Sequence, residues 1–274
     1  RSPSRGLGDV YKRQLLALVA CTPEKKQEAD YSQYVNPMIG TDFTGNTYPG
    51  AQVPFGMVQL SPDNGLPGWD RISGYFYPDT TIAGFSHTHL SGTGAGDLYD
   101  ISFMPVTRPY KEAPAPLGIY STFSHNDEAA SAGYYRVLLK DYNINVELTA
   151  TERCGIQRYT FPEAEASVFL NLKKAMNWDF TLDSKIEVVD STTIRGYRLS
   201  QGWSPLQHVY FETRFSKPFV ACHMDTTSIV TKEKGWIGTA YVARFDFNTK
   251  KDEEILVTTG ISGVSMEGAG KNLR

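Results

Sequence analysis

Two histidines separated by one residue lie in the segment of the chain best suited to chemistry. His87 and His89 belong to residues 86–94, which read SHTHLSGTG. In an extended strand alternate side chains project to the same side, so both imidazoles would face one way. The pair could bind a metal ion, with Asp97 or Asp100 as a third ligand. It also suits contacts to substrate hydroxyls, or hydrogen bonds that only hold the loop, and the sequence leaves these alternatives open.

A tryptophan beside a carboxylate suggests a second kind of chemistry. Trp69 and Asp70 follow a turn rich in proline and glycine at residues 64–68. An exposed indole can pack on the apolar face of a sugar ring while a carboxylate accepts hydrogen bonds from its hydroxyls. The alternative is that Trp69 packs into the core of its own loop. For Trp178 and Trp203, the sequence favours a place in the core over a ligand platform.

Several other functions are excluded by motif and composition. The glycine-rich residues 92–96 lack the Lys-Ser/Thr ending of a phosphate loop and the strand-then-helix setting of a dinucleotide site. No serine hydrolase elbow with the required spacing is present. A formal net charge of -3 argues against a general nucleic-acid binder. No stretch reaches the roughly 18 apolar residues that a membrane-spanning helix needs.

The elements that must position these residues are β-strands. Residues 144–148 alternate apolar and polar, and Val209, Phe211 and Phe215 fall on one face of another strand. Further strands are predicted at 168–172, 185–189, 193–199, 218–224, 236–247 and 255–261. No amphipathic helix of 12 or more residues stands out before the last positions. The pattern predicts an all-β fold, a large antiparallel β-sandwich. Residues 35–105, rich in Gly, Pro, Thr and His, are expected to form long functional loops and not sheet interior.

The three cysteines do not indicate a disulfide framework. A bridge between Cys154 and Cys222 is one alternative, and two buried free thiols are the favoured one. Cys21 ends residues 15–21, LLALVAC, which are typical of a truncated bacterial lipoprotein signal whose cysteine takes the lipid. Residues 1–14 are expected to be a cloning or assembly scar, and the polar residues 22–33 a tether.

Longer motifs resemble the N-terminal domain of glycoside hydrolase family 92, whose members are calcium-dependent exo-acting α-mannosidases. The segments that carry the resemblance are 35–41 (VNPMIGT), 48–63 (YPGAQVPFGMVQLSPD), 84–94 (GFSHTHLSGTG), 132–135 (AGYY), 147–151 (ELTAT) and 158–162 (RYTFP). They are long, ordered along the chain and specific. The resemblance covers essentially all of residues 34–274.

The resemblance implies a two-domain glycosidase. Residues 34–268 would form the β-sandwich, and 269–274 would begin a linker to a helical (α/α)6 barrel that holds the catalytic acid, the catalytic base and most of the Ca2+ ligands. This chain would therefore contain no catalytic residue and no metal site, and would be inactive alone. The family's reaction inverts the anomeric carbon, with two carboxyl groups roughly 6.5–9.5 Å apart on opposite faces of the sugar.

The family also suggests which residues of this chain meet the sugar. Residues 68–70 match its Gly-Trp-Asp loop, so Trp69 and Asp70 would contact mannose, and His87 and His89 would line or buttress the pocket. The expected partners are mannose-containing glycans, with α-1,2 linkages foremost, the chain's own C-terminal catalytic domain, and a membrane reached through lipid on Cys21. The expected location is the bacterial cell envelope, periplasmic or outer-surface. The competing hypotheses are a stand-alone carbohydrate-binding module and a β-sandwich enzyme that uses a metal at the histidine loop.

Overall fold

The computed structural model describes residues 30–173, 177–231 and 236–274. The chain divides into two compact units, residues 1–33 and 34–274, and the fold below is that of the second. The predicted scar, the predicted signal with Cys21 and most of the predicted tether lie outside the described residues.

About half of the described residues lie in β-strands. The strands in chain order are β1 Ala51–Gln52, β2 Gln59–Asp63, β3 Thr81–Ile82, β4 Gly84–Ser86, β5 Ser102–Thr107, β6 Glu112–Ala113, β7 Gly118–Ile119, β8 Ser121–Thr122, β9 Glu128–Ser131, β10 Tyr134–Leu139, β11 Ile144–Ala150, β12 Cys154–Phe161, β13 Ala164–Asn171, β14 Phe180–Val188, β15 Thr193–Gln201, β16 Gln207–Phe215, β17 Ala221–Thr231, β18 Trp236–Thr249 and β19 Glu253–Ser262. Helix α1 is Met266–Asn272, and 3-10 turns cover Ser32–Tyr34, Trp69–Arg71 and His125–Asp127.

Within the described residues the longer strands form two antiparallel sheets. One has the order β1-β2-β4-β5-β13-β18-β17 and the other β14-β15-β16-β19-β12-β11-β10-β9. Phe215 of β16, in the second sheet, packs on Phe245 and Phe247 of β18, in the first, with ring centroids 5.2 and 5.7 Å apart. Because both sheets contribute to one buried apolar cluster, the predicted antiparallel β-sandwich is confirmed.

The alternation read from the sequence explains which side chains enter this core. Strand β16 buries Val209, Phe211 and Phe215, as predicted, and leaves Arg214 exposed. The segment predicted as a strand at 218–224 was placed too early, because β17 begins at Ala221. Alternation identifies the inward face of a strand more reliably than its ends, where turn and strand compete for the same residues.

The expectation that residues 35–105 lie outside the sheet interior is wrong for three segments. Strands β2, β4 and β5 belong to the first sheet, and their residues are almost all buried. Each is short and interrupted by Ser or Pro, so local periodicity is weak. Their pairing is decided by neighbours distant in sequence, such as Leu170 of β13 opposite Phe103 of β5.

Helix α1 closes one side of the second sheet. The Ser265 side chain caps it by accepting a hydrogen bond from the Gly268 N–H at 3.0 Å. The helix packs on β19 and β16, and Ala269 is fully buried. The predicted domain boundary between 268 and 269 therefore falls inside a helix, because the cap sets its start three residues earlier.

Candidate functional site

Four loops meet at one end of the sandwich. Asn171 at the end of β13 pairs with Ser102 at the start of β5, so the loops attached to these strands lie side by side. Hydrogen bonds of Asn177 and Asp97 then connect them to two further loops. The loops are 64–80 between β2 and β3, 87–101 between β4 and β5, 172–179 between β13 and β14, and 202–206 between β15 and β16.

Two indoles lie next to each other at this end. Trp69 is 61% exposed and Trp178 is 41% exposed, with ring centroids 6.4 Å apart. Asn177 holds the two loops together, since its Oδ1 accepts a hydrogen bond from the Gly68 N–H at 2.9 Å. The predicted core position of Trp178 is wrong, because its loop is fixed by Asn177 and leaves the indole at the surface.

The Asp70 carboxylate lies in the same 3-10 turn as Trp69. It is half-buried. The adjacent Arg71 is engaged elsewhere, in an ion pair with Asp79 at 2.6 Å and over the ring of Phe76 at 4.6 Å. No described residue donates a hydrogen bond to Asp70.

Trp203 is more exposed than Trp69 or Trp178. It is 82% exposed, so its predicted core position is also wrong. Its backbone is nevertheless firmly held: the Trp203 N–H donates to Asp97 Oδ1 at 2.8 Å and the Ser204 N–H to Oδ2 at 3.1 Å. Asp97 itself is buried, and both oxygens of its carboxylate accept the hydrogen bonds that position the loop of Trp203.

A fully buried arginine ties these loops to the sheet. Arg198 of β15 donates from Nη1 to Asp100 Oδ1 at 2.6 Å, from Nε to Thr181 at 2.9 Å, and from Nη2 to Asp179. It also reaches the Leu98 carbonyl at 3.3 Å. Arg198 was not among the candidate functional residues predicted from the sequence. A signal was present, because Arg198 occupies an inward position of an alternating strand, where a charge requires buried partners.

The backbone between Asp97 and β5 is strained. Leu98, Tyr99 and Ile101 have φ angles of 83°, 65° and 56°, in a region that side chains other than glycine rarely adopt. Surrounding bonds support this conformation: the Tyr99 N–H donates to the Thr88 carbonyl at 3.0 Å, and its hydroxyl bonds the Ile72 carbonyl. Such strain persists where the surroundings enforce it, and it concentrates at functional sites.

The structure places His87 inside the protein. Its ring is fully buried, and Nδ1 donates to the Ile101 carbonyl at 2.7 Å. Nε2 has no hydrogen-bond partner among the described residues. A Cβ on Gly155 would lie 2.6 Å from the imidazole, so glycine is needed there for close packing.

His89 is also buried, and it bonds a different set of groups. Nδ1 donates to the Gln59 carbonyl at 2.7 Å, while Nε2 lies 2.9 Å from Asp63 and 3.0 Å from the Ser86 hydroxyl. The two histidines thus have separate partners, and both act in the structure as ties of the loop. Their predicted contact with substrate stays a prediction.

The described residues contain no group of three or more His, Cys, Asp or Glu side chains arranged to hold a metal ion. Asp97 and Asp100, the proposed third ligands, bind the tryptophan loop and Arg198 instead. Cys154 and Cys222 are free and half-buried, not bridged.

No helix within the described ranges has the length and apolar character to cross a membrane.

Two buried groups give the site opposing pH dependences. Burial lowers the pKa of His87 to about 4, against the effect of the Ile101 carbonyl. The unfolded chain then binds this proton first as pH falls below 6.5, so stability decreases. Burial raises the pKa of Asp179 to about 6, against the attraction of Arg198. Here the folded chain binds the proton first, so stability increases as pH falls through about 6.

We expect His87→Gln and Asp179→Asn to change the pH profile of stability in opposite directions. From pH 7 down to about 4, H87Q should become more stable relative to wild type and D179N less stable, each by up to about 3 kcal/mol. Urea unfolding at several pH values measures both, each variant serving as the control for the other. Parallel profiles for the two variants would contradict the assignment.

The comparisons with known proteins agree with this architecture. The profile described as Glycosyl hydrolase family 92 N-terminal domain matches residues 34–262. A family GH92 α-mannosidase from Bacteroides thetaiotaomicron, solved alone and with mannoimidazole, is 39% identical with a TM-score of 0.79, over 88% of this chain and 34% of its own. A family GH92 inverting mannosidase from Bacteroides thetaiotaomicron VPI-5482 is 26% identical with a TM-score of 0.72, over 90% and 33%.

A curated relative is more distant. An uncharacterized secreted glycosidase of Arthroderma benhamiae (strain ATCC MYA-4681 / CBS 112371) is 27% identical over 161 residues, which are 55% of this chain and 20% of that protein. The chain spans about a third of the solved mannosidases and a fifth of this relative. Since the profile covers most of the chain and the fold agrees, this chain belongs to glycosyl hydrolase family 92, of which it contains the N-terminal domain.

Proposed function

We propose that this chain is the substrate-facing N-terminal domain of an exo-acting, inverting α-mannosidase that removes terminal α-mannosyl residues, α-1,2-linked ones foremost. The observation that carries the proposal is the exposed Trp69 beside an Asp70 carboxylate that no described residue bonds. A relative with 39% identity was solved with mannoimidazole bound, which supports mannose as the sugar.

The two side chains have complementary tasks. The Trp69 indole offers an apolar face to the C–H groups of the terminal mannose. Asp70 accepts charge-assisted hydrogen bonds from its hydroxyls, which fix the orientation of the ring. Neither side chain touches the scissile bond in this proposal. The general acid and the general base come from a C-terminal domain, spaced to admit a water between the base and the anomeric carbon.

The test uses the full-length protein that contains this chain. We expect it to hydrolyse α-1,2-mannobiose faster than the α-1,3 and α-1,6 isomers. Proton NMR of the first turnovers should show β-mannose before mutarotation, because inversion turns the α-bond into a β-hemiacetal. Initial release of α-mannose would refute inversion, and a preference for another linkage would refute the α-1,2 assignment. Absence of hydrolysis on all three would refute the mannosidase itself.

We also propose that Ca2+ is bound mainly by the catalytic domain. Because no group of three candidate ligands occurs in the described part of this chain, EGTA should abolish hydrolysis by the full-length protein without changing the Tm of the 274-residue chain. Calorimetry of this chain with and without Ca2+ provides the matched control. A rise in its Tm on adding Ca2+ would place a calcium site within the chain.

For the cell, we propose a lipid anchor on Cys21 that holds the protein in the bacterial envelope, periplasmic or outer-surface. The support is the apolar stretch and small residues of 15–21 ahead of the cysteine. Mass spectrometry of the native N-terminal peptide should show a diacylglyceryl cysteine. An unmodified peptide that continues upstream through Leu18 would refute the anchor.

A second candidate is a stand-alone carbohydrate-binding module, which the exposed neighbouring indoles Trp69 and Trp178 favour. In that case the 274-residue chain alone would bind mannan oligosaccharides. Isothermal titration calorimetry that detects no heat at millimolar ligand would exclude this candidate and leave the two-domain enzyme.

A further inference from the structure

We propose that Trp178 and Trp203 form an outer platform for the sugar units that follow the terminal mannose. The inference rests on the proposed function, because it locates the rest of an α-mannosyl chain whose end lies at Trp69 and Asp70. The ligand is an α-mannosyl oligosaccharide of three or more units. Such a platform would make the enzyme favour longer chains without any part in bond cleavage.

The exposure of the two indoles is the first observation. Trp178 is 41% and Trp203 82% exposed. Large aromatic side chains left in water carry a hydrophobic cost. An oligosaccharide recovers it, since each hexose ring has an apolar face that packs on indole while its hydroxyls stay hydrated.

The rigidity of the loop that carries Trp203 is the second observation. Both oxygens of the buried Asp97 carboxylate accept backbone N–H groups of this loop, from Trp203 and Ser204. A Cβ on Gly202 would lie 2.2 Å from Asp97 Oδ1, so only glycine permits this approach. A tryptophan that is exposed only because the core excludes it would not need these backbone hydrogen bonds. Fixing the backbone in advance lowers the entropy that binding must oppose.

The third observation is a series of contacts that leads from Trp69 to the backbone of Trp203. Trp178 lies beside Trp69. The loop of residues 93–97 runs on from there: a Cβ on Gly94 would lie 3.3 Å from the Trp69 ring, and one on Gly96 would lie 2.6 Å from Asn177. This loop ends at Asp97, which holds Trp203. Because residues 94 and 96 are glycines, no side chain projects from these two positions of the loop between the indoles.

Arg198 links both halves of the platform through buried ion pairs. Its Nη2 bonds Asp179, the neighbour of Trp178, and its Nη1 bonds Asp100 and the Leu98 carbonyl next to Asp97. The strained φ angle of 83° at Leu98 is held by these contacts. Arg198 thus contacts the residue next to Trp178 and the residue next to Asp97, which holds Trp203, and it has no access to solvent itself.

The experiment compares a short and a long substrate on the full-length protein. For Trp203→Ala we expect kcat/KM to fall about tenfold on α-1,2-mannotetraose, the loss of one aromatic contact, and to stay unchanged on α-1,2-mannobiose. Trp178→Ala should act in the same direction. Trp203→Phe should retain most of the preference, and Leu206→Ala, an exposed residue of the same loop, is the matched control.

Two outcomes overturn the proposal. An equal loss on both substrates would show that Trp203 supports the protein or packs on another domain, and no loss on either would show that no sugar reaches it. If the wild type hydrolyses no α-mannoside, the proposed function fails instead. The platform is then decided by tryptophan fluorescence of the 274-residue chain titrated with mannotetraose, where binding unchanged by W203A, or no binding, refutes it.

Discussion

Replacing Arg198 by methionine is expected to lower the free energy of unfolding of this domain by about 3–5 kcal/mol at pH 7. The guanidinium is fully buried and pairs with Asp100 and Asp179. Its removal leaves two carboxylates without a counter-charge in a medium that solvates them poorly. Part of the loss should be recovered near pH 5, because burial raises the pKa of Asp179 and the variant lacks the opposing attraction of Arg198, so this carboxyl takes up a proton more readily than in the wild type.

Urea unfolding of the 274-residue chain measures this effect. The matched control is Arg195→Met on the same strand, whose ion pair with Glu187 is partly exposed and is worth at most about 1 kcal/mol. Combining R198M with Asp100→Asn and Asp179→Asn should recover most of the stability, since neither former partner of Arg198 then carries a buried charge. A loss for R198M no larger than for R195M would contradict the role given to the buried network.

Replacing Asp70 by asparagine should lower kcat/KM of the full-length protein on α-mannobiose about 10- to 150-fold. The variant keeps the shape of the side chain but removes a charged acceptor, and hydrogen bonds to charged groups contribute about 1.5–3 kcal/mol. No described residue donates a hydrogen bond to this carboxylate, and Arg71 pairs with Asp79. The fold should therefore not need the charge, and the Tm should be unchanged.

The control for D70N is Asp127→Asn, which changes an exposed aspartate in another 3-10 turn, His125–Asp127. It should alter neither turnover nor Tm. If D70N keeps wild-type kcat/KM, Asp70 is not a sugar contact. If D70N lowers both Tm and kcat/KM, the carboxylate stabilises the fold, and Asp70 no longer supports the proposed sugar contact.

The predicted strands show which structural features a short segment of sequence can specify. Where one face is apolar over seven or more residues, as in β11 and β16, alternation identified both the strand and its buried side chains. It failed for β2, β4 and β5, which are short and rich in Ser and Pro. Their pairing depends on β13 and on one another, and no property of a short segment encodes a partner so distant in the chain.

The residues of the candidate site also differ in whether the sequence alone pointed to them. Trp69 and Asp70 were singled out because a tryptophan next to a carboxylate suggests a sugar contact by itself, and that contact stays a prediction. Trp178 and Trp203 were assigned to the core because a tryptophan more often packs in a core than serves as a ligand platform. Only the folded loops, held by Asn177 and Asp97, show both indoles at the surface.

By itself the sequence determined the family, the antiparallel β-sandwich and the pair of residues that suggest a sugar. These follow from ordered motifs and from periodicity, which act over a few residues. The tertiary structure alone decided that His87 and His89 are buried ties, that Arg198 joins the loops, and that the tryptophans share one end of the sandwich. Those facts depend on contacts between residues 14 to 109 positions apart, whose energies arise only when the sheets bring them together.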